Sequence, residues 1–174
     1  MRRRLQEELK QSKPIPTLAE EVYLEIQRTS QVTARWIAQA LKPAGLTESQ
    51  FNVLRILRGS RPDGLSSSGI AERMVRHDPD LTRLLDRLEA AELVEKSRDA
   101  RDRRVVNARI TKAGLAVVES ASEAVRLRLQ AALRPLGSRT LGTLADLLEL
   151  VRGSVDPDAS SSQRSHRSHQ GDKP

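Results

Sequence analysis

The chain has 174 residues, enough for one domain with a real core plus accessory segments. It carries 30 Lys and Arg against 23 Asp and Glu, a net charge of +7, which favours an acidic partner such as nucleic acid. Aromatic residues make up 2% (Tyr23, Trp36, Phe51) and cysteine is absent, which argues against base stacking on single strands and excludes disulfides, thiol nucleophiles, thiol metal sites and a thiol-oxidation switch.

In chain order, Met1 to Glu8 is basic but is followed by no apolar stretch, so it does not read as a secretory signal. No run of 18 apolar residues exists, and a cytoplasmic location away from membranes is expected. Thr17-Leu18-Ala19-Glu20 has the capping-box pattern. It opens an amphipathic helix over 17–41, closed by Pro43 and Gly45. Thr47-Glu48-Ser49-Gln50 is a second capping box, leading into Phe51, Val53, Leu54, Ile56 and Leu57. A loop follows over 59–64, then a short helix over about 67–75. Asp78 and Pro79 suit the cap and first position of another helix over 79–91, with Leu81, Leu84, Leu85 and Leu88 as its apolar stripe.

The period then changes. Residues 93–96 and 105–110 read as two strands joined by the charged turn 97–104. Thr111 caps a helix over 112–134. Pro135 and Gly137 stop it, and Ser138 is placed to cap a last helix with Leu141, Leu144, Leu148 and Val151 at 3-4-3 spacing. From Gly153 onward only Val155 and Ala159 are apolar, too little to offset the entropy of ordering, so 153–174 is expected to be a disordered tail.

The fold class is therefore mainly α with a small β-hairpin. A short helix, a turn, a second helix and a hairpin in succession make a winged helix-turn-helix. Such a unit reads duplex DNA with its second helix in the major groove and its wing on the backbone or minor groove. The charge follows this division. The tail is neutral, and residues 1–13 hold a net +3. The wing, 96–104, sets Lys96, Arg98, Arg101, Arg103 and Arg104 against Asp99 and Asp102, a local +3. The planar guanidinium of arginine suits phosphate and a narrow minor groove.

Leu46 to Leu54, Leu81 to Glu89, and Asp99 to Arg104 followed by Val105 to Ile110 and Thr111-Lys112-Ala113-Gly114 together resemble the MarR-type transcriptional regulators. The resemblance spans roughly 17–152 and is continuous in spacing through 46–119. It implies a homodimeric winged helix-turn-helix regulator, a repressor, which binds a pseudo-palindromic operator and is released by a small ligand. On this resemblance Thr82 and Arg83 match recognition-helix contacts, Arg103 matches the wing arginine that enters the minor groove, and Arg104 is its neighbour. Arg87, Arg98 and Arg101 complete the DNA-binding set. Two departures stand out: Asp78-Pro79-Asp80 occupies positions where relatives carry Ser, Thr or Lys, and Glu92 stands where glycine is usual.

The expected organisation is a flexible basic start (1–16), an N-terminal dimerisation helix (17–45), the winged helix-turn-helix (46–111), C-terminal dimerisation helices (112–152) and the tail (153–174). Partners are double-stranded DNA, a second copy of the chain and a small-molecule effector of unassigned site. The acidic start of the second helix, Asp78 and Asp80, supports a competing reading, a winged-helix protein-interaction module without sequence-specific DNA binding. No enzyme, cofactor or metal is expected. Ser66-Ser67-Ser68-Gly69 lacks the glycine of a nucleophile elbow, no glycine-rich phosphate loop follows a strand, and His77 has no cysteine or nearby histidine to share a metal.

Overall fold

In a computed structural model, residues 3–99, 102 and 105–156 are described. The elements are α1 (Arg3–Glu8), α2 (Leu18–Leu41), α3 (Glu48–Gly59), β1 (Leu65–Ser66), α4 (Ser67–Ala71), α5 (Leu81–Ala90), β2 (Val94–Arg98), β3 (Val106–Ile110), α6 (Lys112–Leu133) and α7 (Gly137–Val155). Short 3-10 turns over Lys42–Ala44 and Arg134–Leu136 precede α3 and α7. Two compact units divide between Leu127 and Arg128, with α6 running from one into the other.

The first unit holds the core. Both capping boxes form: the Thr17 hydroxyl accepts from the Glu20 amide at 3.2 Å and the Thr47 hydroxyl from the Gln50 amide at 3.3 Å. Each cap satisfies helix-end amides that nothing else would reach. Apolar spacing then turns Phe51, Val53, Leu54 and Leu57 of α3 inward, where they meet Ile70, Leu84, Leu85, Leu88, Val94, Ala108 and Ile110 as one buried set. At about 1.5–3 kcal/mol per fully buried large side chain, this cluster dominates the stability of the unit. β3 lies between β1 and β2, antiparallel to both, with Leu65 opposite Ala108 and Val94 opposite Ile110.

β1 is a strand that the sequence does not announce. Two residues are too few to show an alternating pattern, and the pairing with β3 is long-range. Gly64 makes the turn possible: its φ is +79°, and a Cβ there would run into the Ala108 carbonyl oxygen.

Four other boundaries differ from expectation. Residues 3–8, placed in a flexible start, form α1, with Leu5 buried and Glu8 paired to Arg28 of α2 at 3.4 Å. α4 ends at Ala71 rather than near Val75, which is exposed, because the amides of Arg73 and Met74 close tighter turns onto Ile70 and Ala71. α5 begins at Leu81, not Pro79, because Asp78 spends its side chain on the Asp80 amide at 3.0 Å, a turn that competes with the helix. α7 begins at Gly137 with no side-chain cap, so Ser138 lies inside it, and it continues through Val155, two residues beyond the expected start of the tail.

In the second unit none of the α7 residues is buried. Leu144, Leu147, Leu150 and Val151 are all exposed there. Among the described residues no helix is long and apolar enough to cross a membrane.

Candidate nucleic-acid interface

α5 organises the site. Its buried Leu84, Leu85 and Leu88 pack toward α3, α4 and β2. At 3.6 residues per turn this leaves Thr82, Arg83 and Arg87 outward, and all three are exposed. The Arg83 Nη1 lies 3.5 Å from Asp80 Oδ2, with 79% of the arginine side chain exposed. A pair this open is worth about 0–1 kcal/mol, so it does not withhold Arg83 from a stronger anion. The Arg87 Nε donates to the Arg83 carbonyl at 3.2 Å. Asp78 and Asp80 are engaged locally, one on a backbone amide and the other on Arg83.

The wing follows as β2 and β3, in register from Val94–Ile110 to Arg98–Val106. Arg98 is exposed at the far end of β2. The turn beyond it is organised by Asp99. Its amide donates to Val105 O at 2.9 Å, while its carboxylate accepts from the Asp102 amide and the Asn107 Nδ2, each at 3.2 Å. Asp99 thus ties together Asp102, Val105 and Asn107 at the far end of the wing strands. Arg101, Arg103 and Arg104 lie outside the described residues.

Lys96, counted in the sequence among the wing's cations, is paired within the chain. Its Nζ contacts Asp86 Oδ1 and lies 2.8 Å from Glu89 Oε2, and its own amide donates to Glu89 Oε1 at 3.2 Å. The two carboxylates, Asp86 first, raise the pKa of the Lys96 ammonium above the ordinary lysine value. The i, i+3 spacing of Asp86 and Glu89 put both on one face of a helix, but only the fold brings Lys96 to that face.

At the base of the wing three elements are locked together. Glu92 takes φ +58°, with its amide on Glu89 O at 2.8 Å and the Leu93 amide on Leu88 O at 3.0 Å. This is the left-handed helix exit that glycine usually supplies, built here on a glutamate. The Thr111 hydroxyl accepts from the Gly114 amide at 2.9 Å and donates to Glu92 O at 2.8 Å, so the cap of α6 also holds the exit of α5. A Cβ on Gly114 would collide with the Leu93 carbonyl oxygen.

Apart from this surface, a cavity of about 540 Å³ lies along α2. Leu24 and Ala34 give it apolar walls, and Arg28, Arg35 and Arg76 bring guanidinium groups to it. The Arg76 Nη2 donates to Ser30 Oγ of α2 at 3.4 Å, five residues before α5 begins.

Comparison with known proteins places this arrangement. The MarR family model matches residues 46–106, which run from just before α3 to the start of β3. The HTH-type transcriptional regulator FarR of Neisseria gonorrhoeae is 32% identical over 108 residues, covering 62% of this chain and 73% of that protein. A MarR transcription factor from Planctomyces limnophilus is 34% identical, with a TM-score of 0.61 over 78% of this chain and 98% of that one. The S. aureus MepR–DNA complex is 26% identical, with a TM-score of 0.68 over 76% of this chain and 96% of that one.

Proposed function

The chain belongs to the MarR family of transcriptional regulators, and from that premise we propose that it represses transcription as a homodimer on a pseudo-palindromic operator. The observation that carries this reading is the outward face of α5, where Thr82, Arg83 and Arg87 stand exposed on a helix whose other face is anchored in the core. In the bound state α5 enters the major groove, Thr82 and Arg83 read base edges, and Arg87 holds backbone phosphate. Arg98, Arg101, Arg103 and Arg104 supply the wing, with Arg103 in the minor groove. The interaction-module reading rested on Asp78 and Asp80, and both are occupied within the chain.

Self-association has its own support. Leu18, Val22, Tyr23 and Val32 of α2 are exposed apolar side chains, as are Leu144, Leu147, Leu150 and Val151 of α7, and a second copy of the chain would cover such faces. The α2 cavity suits a small effector with negative charge, held by Arg28, Arg35 and Arg76, the last of which lies five residues before α5. The protein acts by binding rather than by catalysis, and works in the cytoplasm.

Selection of duplexes from a random pool tests the function. The expected product is two inverted half-sites one helical turn apart, about 34 Å. Failure to enrich any duplex at low salt, with the protein folded, removes the reading.

A further inference from the structure

Two carboxylates stand on the helix proposed to enter the groove. Asp86 and Glu89 are i, i+3 on α5, and Asp86 is the immediate neighbour of Arg87. Facing a polyanion, both would repel it, because like charges brought together at an interface oppose binding. The structure answers this charge from within. Lys96 has 22% of its side chain exposed, against 54% for Asp86 and 43% for Glu89, so the lysine is the most covered side chain of the three. Glu89 grips Lys96 twice, one oxygen on the ammonium and the other on the backbone amide. Lys96 is also the middle residue of β2, paired across to Ala108 of β3 and two residues from Arg98. The clasp therefore joins α5 to the wing's first strand at its centre. Two of the three donors of the Lys96 ammonium are spent on these carboxylates.

Resting on the DNA-binding reading, we propose that Lys96 is a positioning residue. It offsets half of the negative charge of Asp86 and Glu89 and fixes the wing against the recognition helix, so duplex affinity depends on it although it does not touch the duplex.

The test is a double-mutant cycle on the selected duplex, using Lys96→Met, Asp86→Asn with Glu89→Gln, and all three together. Thermal melts and light scattering establish that each protein is folded and of unchanged oligomeric state at the assay temperature. Lys96→Met is expected to weaken binding by roughly tenfold, within the range of coupled neighbours. In the neutralised Asp86→Asn, Glu89→Gln background the same change should cost less than about twofold, the usual limit of additivity. Lys96→Arg, which keeps both pairs, should retain affinity within about twofold. An equal loss in both backgrounds would mean that Lys96 contacts the duplex itself, and overturns the proposal; so does no loss from Lys96→Met in the native background. If the unaltered chain binds no duplex, the DNA-binding reading fails by itself. The clasp is then read in the free protein, where Lys96→Met should speed amide exchange over residues 94–98, and unchanged exchange overturns it.

Discussion

Arg83 on α5 and Glu92 just past its end show how differently single residues are spent. Arg83 is held only by a surface pair with Asp80, so a groove can take it at little cost. Arg83→Ala should lower affinity for the selected operator by about 1–3 kcal/mol while affecting random duplex less. Binding titrations on both duplexes check this, and an equal loss on the two would demote Arg83 to a phosphate contact. Glu92 carries no such role but sits at φ +58°, a region that costs an ordinary side chain about 1–2 kcal/mol. Glycine there would relieve the strain, against a larger entropy in the unfolded chain. The net expectation for Glu92→Gly is a gain of up to about 1 kcal/mol, seen as a higher Tm. A lower Tm would show that the exit is not strained.

Between elements, the contacts that matter are few and local. α6 meets the base of the wing at Gly114, where added bulk has no room beside the Leu93 carbonyl. Gly114→Ala should therefore destabilise by about 1–3 kcal/mol, read as a lower denaturant midpoint; an unchanged midpoint contradicts the close approach. The α5–β2 clasp has a pH signature. The Lys96 pKa is raised in the folded state by Asp86 and Glu89. Its contribution is therefore fully present below the ordinary lysine value, about 10.4, and is lost as pH rises through the higher folded value. The Tm difference between the native chain and Lys96→Met should stay constant from neutral pH to about pH 9 and shrink only in the alkaline range. A difference that fades near neutrality would mean that some other group holds the strand.

For the whole molecule, the second unit poses the question of what covers its leucines. α7 buries none of its residues, yet Leu144 and Val151 lie on the 3-4-3 stripe of a helix–helix seam. With a second copy supplying the cover, Leu144→Lys with Val151→Lys should turn the dimer into a monomer by sedimentation. It should also abolish the preference for paired half-sites over a single one. A double mutant that remains dimeric moves the seam elsewhere.

The sequence by itself determined the local grammar. Capping boxes at Thr17 and Thr47, the apolar stripe of α5 and the shift to strand period after it rest on neighbours a few residues apart, and all appear in the fold. The outward positions of Thr82, Arg83 and Arg87 were legible for the same reason, since the stripe that faces the core dictates the face that does not. The boundaries at Asp78, Ser138 and Gly153 were less legible, because a side chain that can cap has competing uses and a helix end is decided by weak terms. What only the tertiary structure decided are the meetings across distance: β1 on β3, Thr111 on Glu92, and above all Lys96 on Asp86 and Glu89. Charge counting along the chain made Lys96 one more cation of the wing. Its two partners, ten and seven residues away, become neighbours only when the strand turns back along the helix, and a charge answers to its nearest opposite in space.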